Sequence, residues 1–532
     1  MLPVTINTHA SKLRSFAASL LFTTASISVT TVVTVSEVHA QTLQTYNIPA
    51  GSLATALNRF SEVSNIQLVY DASLTRNLQS PGIKGTMLPA EALSHLLSGS
   101  GLLYRFTNGK SVTLTKPSNT ITLGPVRVGG VLQKQAPDTA MIGNLPPVLP
   151  GGEVARGGQM GMLGNKDVMD TPFNATSYTA DFIKNRQIRN IRDALKDDPS
   201  VRSTFTTGSP GYEAMTVRGF NVLSTDMSFG GLYGIVPAPA TLSEVAERVE
   251  VLKGPAALLN GMSPGGSIGG SINIVPKRAH DTPLTEVEAD YTSNSQFGGH
   301  LDLGRRFGKN KNFGLRANGV IRSGNTAIER NSMRTALTSL GADARFKHVR
   351  LSADFGYQYR GIDGTVPYFS LQDTTPIPQA DKVSRNLGAP WSRDRSQDYF
   401  GVFKSEVDLL RNVTAYGAVG MSSNQAHGLM IKSISNIDSR GLGNGSANAT
   451  GNESTNITAD LGLRAHLKPA FLLHELAFAA NRYQSDSGTF SQYETMNRGT
   501  VPIDGYTAFA RPTIKVPGHV PHTASSTLSS LA

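Results

Sequence analysis

The chain has 532 residues, enough for several domains, with 53 glycines and only 17% charged residues. It has no cysteine, which excludes disulfides, thiolate metal sites and cysteine nucleophiles. The net charge of +10 is scattered along the chain and nowhere interleaved with aromatics, so it does not build a nucleic-acid surface, although scattered arginines could line a lumen that attracts anions.

Residues 1–40 read as an export signal. Lys12 and Arg14 precede the apolar, small-residue stretch Ser15 to Val35, and Val38-His39-Ala40 suits cleavage before Gln41. A retained N-terminal anchor is the other reading. No later run is apolar for long enough to make a spanning helix, so a membrane location would require a β-barrel.

Residues 41–117 form a small α/β pattern. Strands are expected at Gln44–Ile48, Ile66–Tyr70 and Ile83–Met87. A helix over Ala54–Ser64 places Leu53, Ala56, Leu57, Phe60 and Val63 on one face. Pro89 opens a second helix lined by Ala92, Leu93, Leu96 and Leu97. Leu102–Phe106 and Ser111–Thr115 flank Asn108-Gly109 as a hairpin. Tyr46 to Leu53 and Leu93 to Tyr104 resemble the short N-terminal signalling domain of secretins and of some TonB-dependent receptors. In receptors, that resemblance implies an inner-membrane anti-sigma regulator as partner. A generic periplasmic domain, or a secretin-type channel component, fits this unit equally.

Residues 118–165 read as a Pro- and Gly-rich mobile linker holding one extended run, Ile121, Thr122, Leu123, Gly124, Pro125, Val126, Arg127 and Val128. Such a run can add to the edge of a partner sheet, with Pro125 excluding a central position. By resemblance it is the TonB box, and TonB is the implied partner; plain linker is the alternative.

Residues 166–279 resemble the plug of a TonB-dependent ferric-siderophore receptor. The carriers are Asp170-Thr171-Pro172, Met215 to Phe220, and Ala246 to Pro255 running into a glycine cluster that ends in Ile272 to Arg278. One helix is expected over Asp181–Leu195, stopped by Pro199, and none across the glycine cluster. The resemblance makes Arg218 and Arg248 candidate charges locking the plug to barrel carboxylates, with ordinary surface pairing the alternative. Tyr212, Phe229, Tyr233 and Tyr368 are candidate ligand contacts, or else core. Gly261 to Gly265 matches a nucleophile elbow, but the glycines after it forbid the required helix. No metal, cofactor or catalytic constellation emerges, so no enzyme is expected.

From about residue 280 apolar and polar residues alternate, as in Leu351, Ala353, Phe355 and Tyr357 against Arg350, Ser352, Asp354 and Gln358. That period suits a barrel wall with lipid outside and water inside, and also a soluble sandwich. Leu371–Ser396 and Ser433–Ser454 are expected as extracellular loops.

The expectation is thus a mainly β protein: an α/β signalling domain, a mixed plug and the first part of a transmembrane antiparallel β-barrel in the outer membrane. The resemblance implies uptake of ferric siderophore, without telling which one or whether haem. Plugged transporters have about 22 strands, and residues 280–532 hold roughly half of them at ~10 residues each. The barrel is therefore expected to be incomplete, from a fragment, an early stop or a split gene, and not to transport alone. A transport-deficient signalling or interaction protein is the rival reading.

Overall fold

The computed structural model describes residues 43–532 except 72–73, 109–110, 116–136, 205–213, 293, 374, 378–383, 469–471, 473 and 503–508. The export signal, the extended run 121–128 and Tyr212 therefore lie outside the described residues. Two compact units divide near residue 130.

In the first unit, helix Leu53–Ser64 buries Leu53, Ala56, Leu57 and Phe60, and helix Pro89–Leu96 buries Ala92, Leu93 and Leu96. Both faces meet in one core with Tyr46, Ile48, Ile83, Val112 and Leu114. Val63, expected in that core, is 43% exposed because the helix turns it outward. Gln44–Ile48 pairs antiparallel with Ile83–Met87. Gln67–Val69 lies parallel to Ser111–Thr115, which forms the expected hairpin with Leu103–Asn108.

The second unit begins at residue 131. Its described part from Pro137 onward is packed, contrary to the expected mobile linker: Thr139, Ala140, Ala155 and Met160 are buried. Gly157–Gln159 pairs with Asn165–Asp167, and Val148 bridges Ala155. A glycine-rich composition signalled looseness, but here it allows tight turns between short pairings.

The plug centres on a five-stranded sheet in the order Asn174–Thr179, Ala246–Lys253, Gly270–Pro276, Met227–Phe229 and Leu232–Tyr233. Strands Ala246–Lys253 and Gly270–Pro276 pair antiparallel and are almost wholly buried. The expected single helix is two, Ala180–Asn185 and Ile191–Ala194, because Gln187 takes a positive φ of 52° between them. Thr179 caps the first and Asn190 the second, each accepting from a backbone N–H. The glycine cluster does admit one helical turn, Ala257–Asn260, in its glycine-free window. Gly261, at φ 76°, ends that turn. At Gly269 a Cβ would sit 2.3 Å from the Val217 carbonyl oxygen, so only glycine permits that approach.

The wall is one antiparallel sheet running in sequence order from Leu284–Thr292 to Ala524–Leu531, with Tyr368–Leu371 attached off that path. Its burial is inverted relative to a soluble protein. Val287, Ile321, Leu340 and Phe355 are 77%, 70%, 45% and 51% exposed, while Asp302, Arg316, Asp354 and Gln358 are buried. A stacked sandwich would bury the apolar face, whereas a membrane wall shows it to lipid. Aromatic pairs border the apolar band: Phe313–Phe346 at the end with short turns, and Tyr291–Phe297 and Tyr357–Tyr399 towards the other. The plug core continues into this wall through Val320, Leu337, Phe400 and Val402.

The loop expected at Ser433–Ser454 is instead mostly strand. Val413–Ile437, Leu442–Leu467 and His474–Pro502 run for 25, 26 and 29 residues. About 9–11 tilted residues span a bilayer, so the rest stands beyond it. Register pairing continues from Ser422 to Ser435 against Asn444 to Asn456, so a polar composition there is an extended sheet. Asp438 closes the hairpin by accepting from the Arg440 and Leu442 N–H groups.

Candidate functional site

The site is the seam between plug and wall. Its ion pairs were expected at Arg218 and Arg248, and the structure puts neither against a wall carboxylate. Arg218 is exposed at φ 52°, and with Gly219 at φ 87° it makes a two-residue hairpin turn between Ala214–Val217 and Phe220–Leu223. Its backbone N–H donates to the Ser200 carbonyl at 2.8 Å. Arg248 is buried, which lowers its pKa against the pull of Glu250 and Glu247, and its Nη2 donates to the Pro146 carbonyl at 2.5 Å.

Other residues make the seam. Lys277 reaches Asp302 at 3.0 Å, and Arg278 binds Asp354 through both guanidinium nitrogens, one at 2.6 Å. Arg189 meets Asp290 at 2.6 Å, and Glu244 meets Arg322 at 2.7 Å. Lys184 pairs with Glu286 and Lys166 with Glu475. Within the wall, Arg316 also holds Asp302, and Arg322 also holds Asp290. Removing one partner from such a buried pair strands a charge. Period-2 alternation already pointed Asp302, Asp354, Arg316 and Arg322 to the inner face. The adjacent cations Lys277 and Arg278, just before the first wall strand, were the signal that sequence reading left unused.

Lys253 stays within the plug, paired with Asp198 at 2.8 Å. Burial pushes the Asp198 carboxyl up, but bonds from Lys253 and Ser200 outweigh it and hold the group below its ordinary value. Glu250 is fully enclosed. Burial pushes its carboxyl up to about 7, against hydrogen bonds from Asn273 and from the Gln159 N–H, and against Arg248 and Lys404. Asn273 also binds the Gln159 side chain and accepts from Ser228 and the Gly231 N–H. One polar cluster thus ties the start of the plug to its central strands.

The described candidate ligand contacts fall in two places, Phe229 and Tyr233 on neighbouring plug strands and Tyr368 apart from them. Phe229 is core, 5.3 Å edge-on to Phe400. Tyr233 is buried, and that burial raises its phenol pKa. Tyr368, half-buried, lies on the short strand attached to Val413–Ile437, beyond the plug. The structure does not bring the three together. Plug residues 234–242 face the wall instead: Ser422 donates to the Gly234 carbonyl, and Asp398 and Gln358 accept from the Ala238 and Leu242 N–H groups.

Between plug and wall lies a cavity of about 410 Å³, lined among others by Glu250, Asn273, Lys404, Glu406, Asp460 and Arg464. Among the described residues no cluster of His, Asp or Glu is arranged to hold a metal. The chamber's lining is mixed, with more apolar than polar surface, and it carries both signs of charge.

The comparisons agree with this architecture. Residues 167–268 match the TonB-dependent Receptor Plug Domain and residues 66–117 the Secretin and TonB N terminus short domain. The ferrichrome receptor FcuA of Yersinia enterocolitica is 42% identical over 286 residues, covering 54% of this chain and 38% of the receptor. The ferripyoverdine receptor of Pseudomonas aeruginosa is 27% identical over 374 residues, covering 67% and 43%. Among solved structures, BauA, the ferric preacinetobactin receptor of Acinetobacter baumannii, matches with TM-score 0.67 and 32% identity over 71% of this chain and 57% of that one. The chain thus spans less than half the length of these two curated relatives. With its plug, its short N-terminal domain and its inside-out wall, the chain is similar to the TonB-dependent receptors of the outer membrane.

Proposed function

We propose that the chain serves TonB-dependent uptake of a ferric siderophore, and that its N-terminal unit reports ligand occupancy to an inner-membrane anti-sigma regulator. The observation that carries this is a plug held by buried ion pairs against an inside-out wall. The likeness to a ferrichrome receptor supports a siderophore as cargo. TonB would pair with residues 121–128 and use the inner-membrane proton gradient to pull. The chemistry is transport, with no covalent step and no resident cofactor in the reading.

Growth under iron limitation of cells carrying a full-length version, with a panel of ferric siderophores and haem, tests the cargo. Rescue by one siderophore that disappears without TonB is the expected result; no rescue by any of them overturns uptake. In a full-length version, deleting residues 41–117 should abolish transcriptional induction while sparing uptake. Induction that survives the deletion removes the signalling role. Ligand binding with induction but without uptake would turn the reading to a signalling protein.

A further inference from the structure

The tall strands Leu442–Leu467 and His474–Pro502 carry the lumen above the plug. Asn456 fixes which of their faces is the inner one, because its side chain donates to the Gly234 carbonyl of the plug at 3.1 Å. Alternation upward from there puts three cross-strand pairs on the same face: Asn452 with Thr489, Thr450 with Ser491, and Asn448 with Tyr493. All six are partly or fully open, Tyr493 to 73%. The alternate residues Ala447, Ala449, Gly451 and Glu453 are buried on the other face. There Ala447 packs with Leu387 and Phe509, and Glu453 accepts from the Val520 N–H and meets His519.

The inner face of these two strands is therefore lined by amides, hydroxyls and one phenol, and none of the six side chains is charged. At the same height on the neighbouring strands, the charges already hold partners. Arg360 pairs with Asp394 at 2.8 Å, and Asp398 accepts from Asn424 at 2.5 Å, from Ser396 at 2.8 Å and from the Ala238 N–H. We infer that this upper lumen binds an electrically neutral ferric complex, a tris-hydroxamate. The assignment rests on the uptake reading and narrows its cargo. Three hydroxamates, each with one negative charge, cancel the charge of ferric iron; three catecholates, each with two, leave a trianion. A trianion gives up its hydration at a large cost unless cations replace it, and the three pairs offer none. A neutral complex presents hydroxamate oxygens and amide groups instead. Asn and Thr side chains both donate and accept towards such groups, and the Tyr493 ring covers apolar surface while its hydroxyl stays wet.

Ferrichrome, a neutral tris-hydroxamate, and ferric enterobactin, a trianionic tris-catecholate, are the probes, titrated against a full-length version in detergent. Ferrichrome should bind about ten-fold tighter or more, with an affinity that stays flat between about 50 and 500 mM salt. Thr450→Lys places a cation on the inner face, and should strengthen ferric enterobactin roughly ten-fold while moving ferrichrome by less than about three-fold. Ferric enterobactin binding as tightly as ferrichrome to the unaltered protein overturns the assignment and leaves uptake standing. So does the absence of any gain from Thr450→Lys in a variant that still binds ferrichrome. If Thr450→Lys loses its heat-modifiable migration, the selectivity and salt response of the unaltered protein decide alone. Binding of neither complex overturns the assignment and the uptake reading together, whereas ferrichrome binding without growth rescue supports the assignment and removes the transport reading.

Discussion

The N-terminal unit and the wall use the same physics with opposite sign. In the first, Phe60 is fully buried, stacks on Tyr46 at 5.7 Å, and anchors a core of leucines. In the second, phenylalanines and leucines of equal size are half exposed, and aspartates and arginines fill the interior. Periodicity tells which residues share a face; the solvent on each side decides which face is inner. The contrast predicts opposite responses to the same kinds of substitution.

The largest effects should come from removing the central member of each interior. Phe60→Ala should destabilise the first unit by about 3–5 kcal/mol, visible as loss of its protease resistance while the heat-modifiable migration of the wall is unchanged. Asp302→Ala should cost the second unit about 3–5 kcal/mol, because Lys277 and Arg316 are left buried without their carboxylate. If Asp302→Ala is neutral in detergent melting, the inner face is wetter than this structure makes it. Next is the outer face. Leu340→Arg, on the band between the aromatic pairs, should cost roughly 2–4 kcal/mol in lipid, as expected for arginine near the midplane. The same change should be mild in a short-chain detergent that lets the guanidinium reach water, and a large cost in both would remove the lipid assignment.

Most of this division was legible in the sequence. Helix faces, the Pro89 helix start and the inward aspartates and arginines followed from spacing alone. What failed were readings from composition. Polar Ser433–Ser454 reads as loop because a strand beyond the bilayer has water on both faces and loses its apolar alternation. The Pro- and Gly-rich composition of residues 118–165 reads as mobile linker, but hydrogen bonds to Glu406, Arg464 and Arg248 hold the described part from 137 onward, and no local pattern announces partners some 100 to 325 residues away. The resemblance makes Arg218 a lock candidate by its position, but its φ of 52° commits it to a turn.

Glu250 supplies the pH arm of the comparison, since the N-terminal core contains no comparable buried carboxylate among its described residues. Its folded pKa, about 7, lies above the ordinary carboxylate value. The folded state therefore holds the proton more tightly, and stability is greatest below the ordinary value and falls as pH rises through 7. Burial of the ionised form should cost on the order of 3 kcal/mol above pH 7. Glu250→Gln should flatten the decline in melting temperature of the second unit between pH 5 and 8, leaving the first unit alone. An unchanged slope would mean that Arg248, Lys404 and Asn273 keep the carboxylate ionised at all these pH values.

The smallest effect separates the two regions by their helix starts. Thr179 is buried, accepts from the Phe182 N–H at 3.3 Å and donates to the Gly152 carbonyl at 2.6 Å, so it both caps a plug helix and fixes the turn at Gly152. Ser52 stands at the same position before Leu53–Ser64 but is exposed and makes no side-chain cap bond. Thr179→Ala should therefore cost about 1–2 kcal/mol, the upper part of the range for a lost cap, while Ser52→Ala should change the first unit's melting very little. Equal losses at the two sites would mean that helix propensity rather than the buried hydroxyl sets the cost. The plug would then owe less to its polar ties, and more to the core it shares with Val320 and Phe400, than the ion pairs along the seam imply.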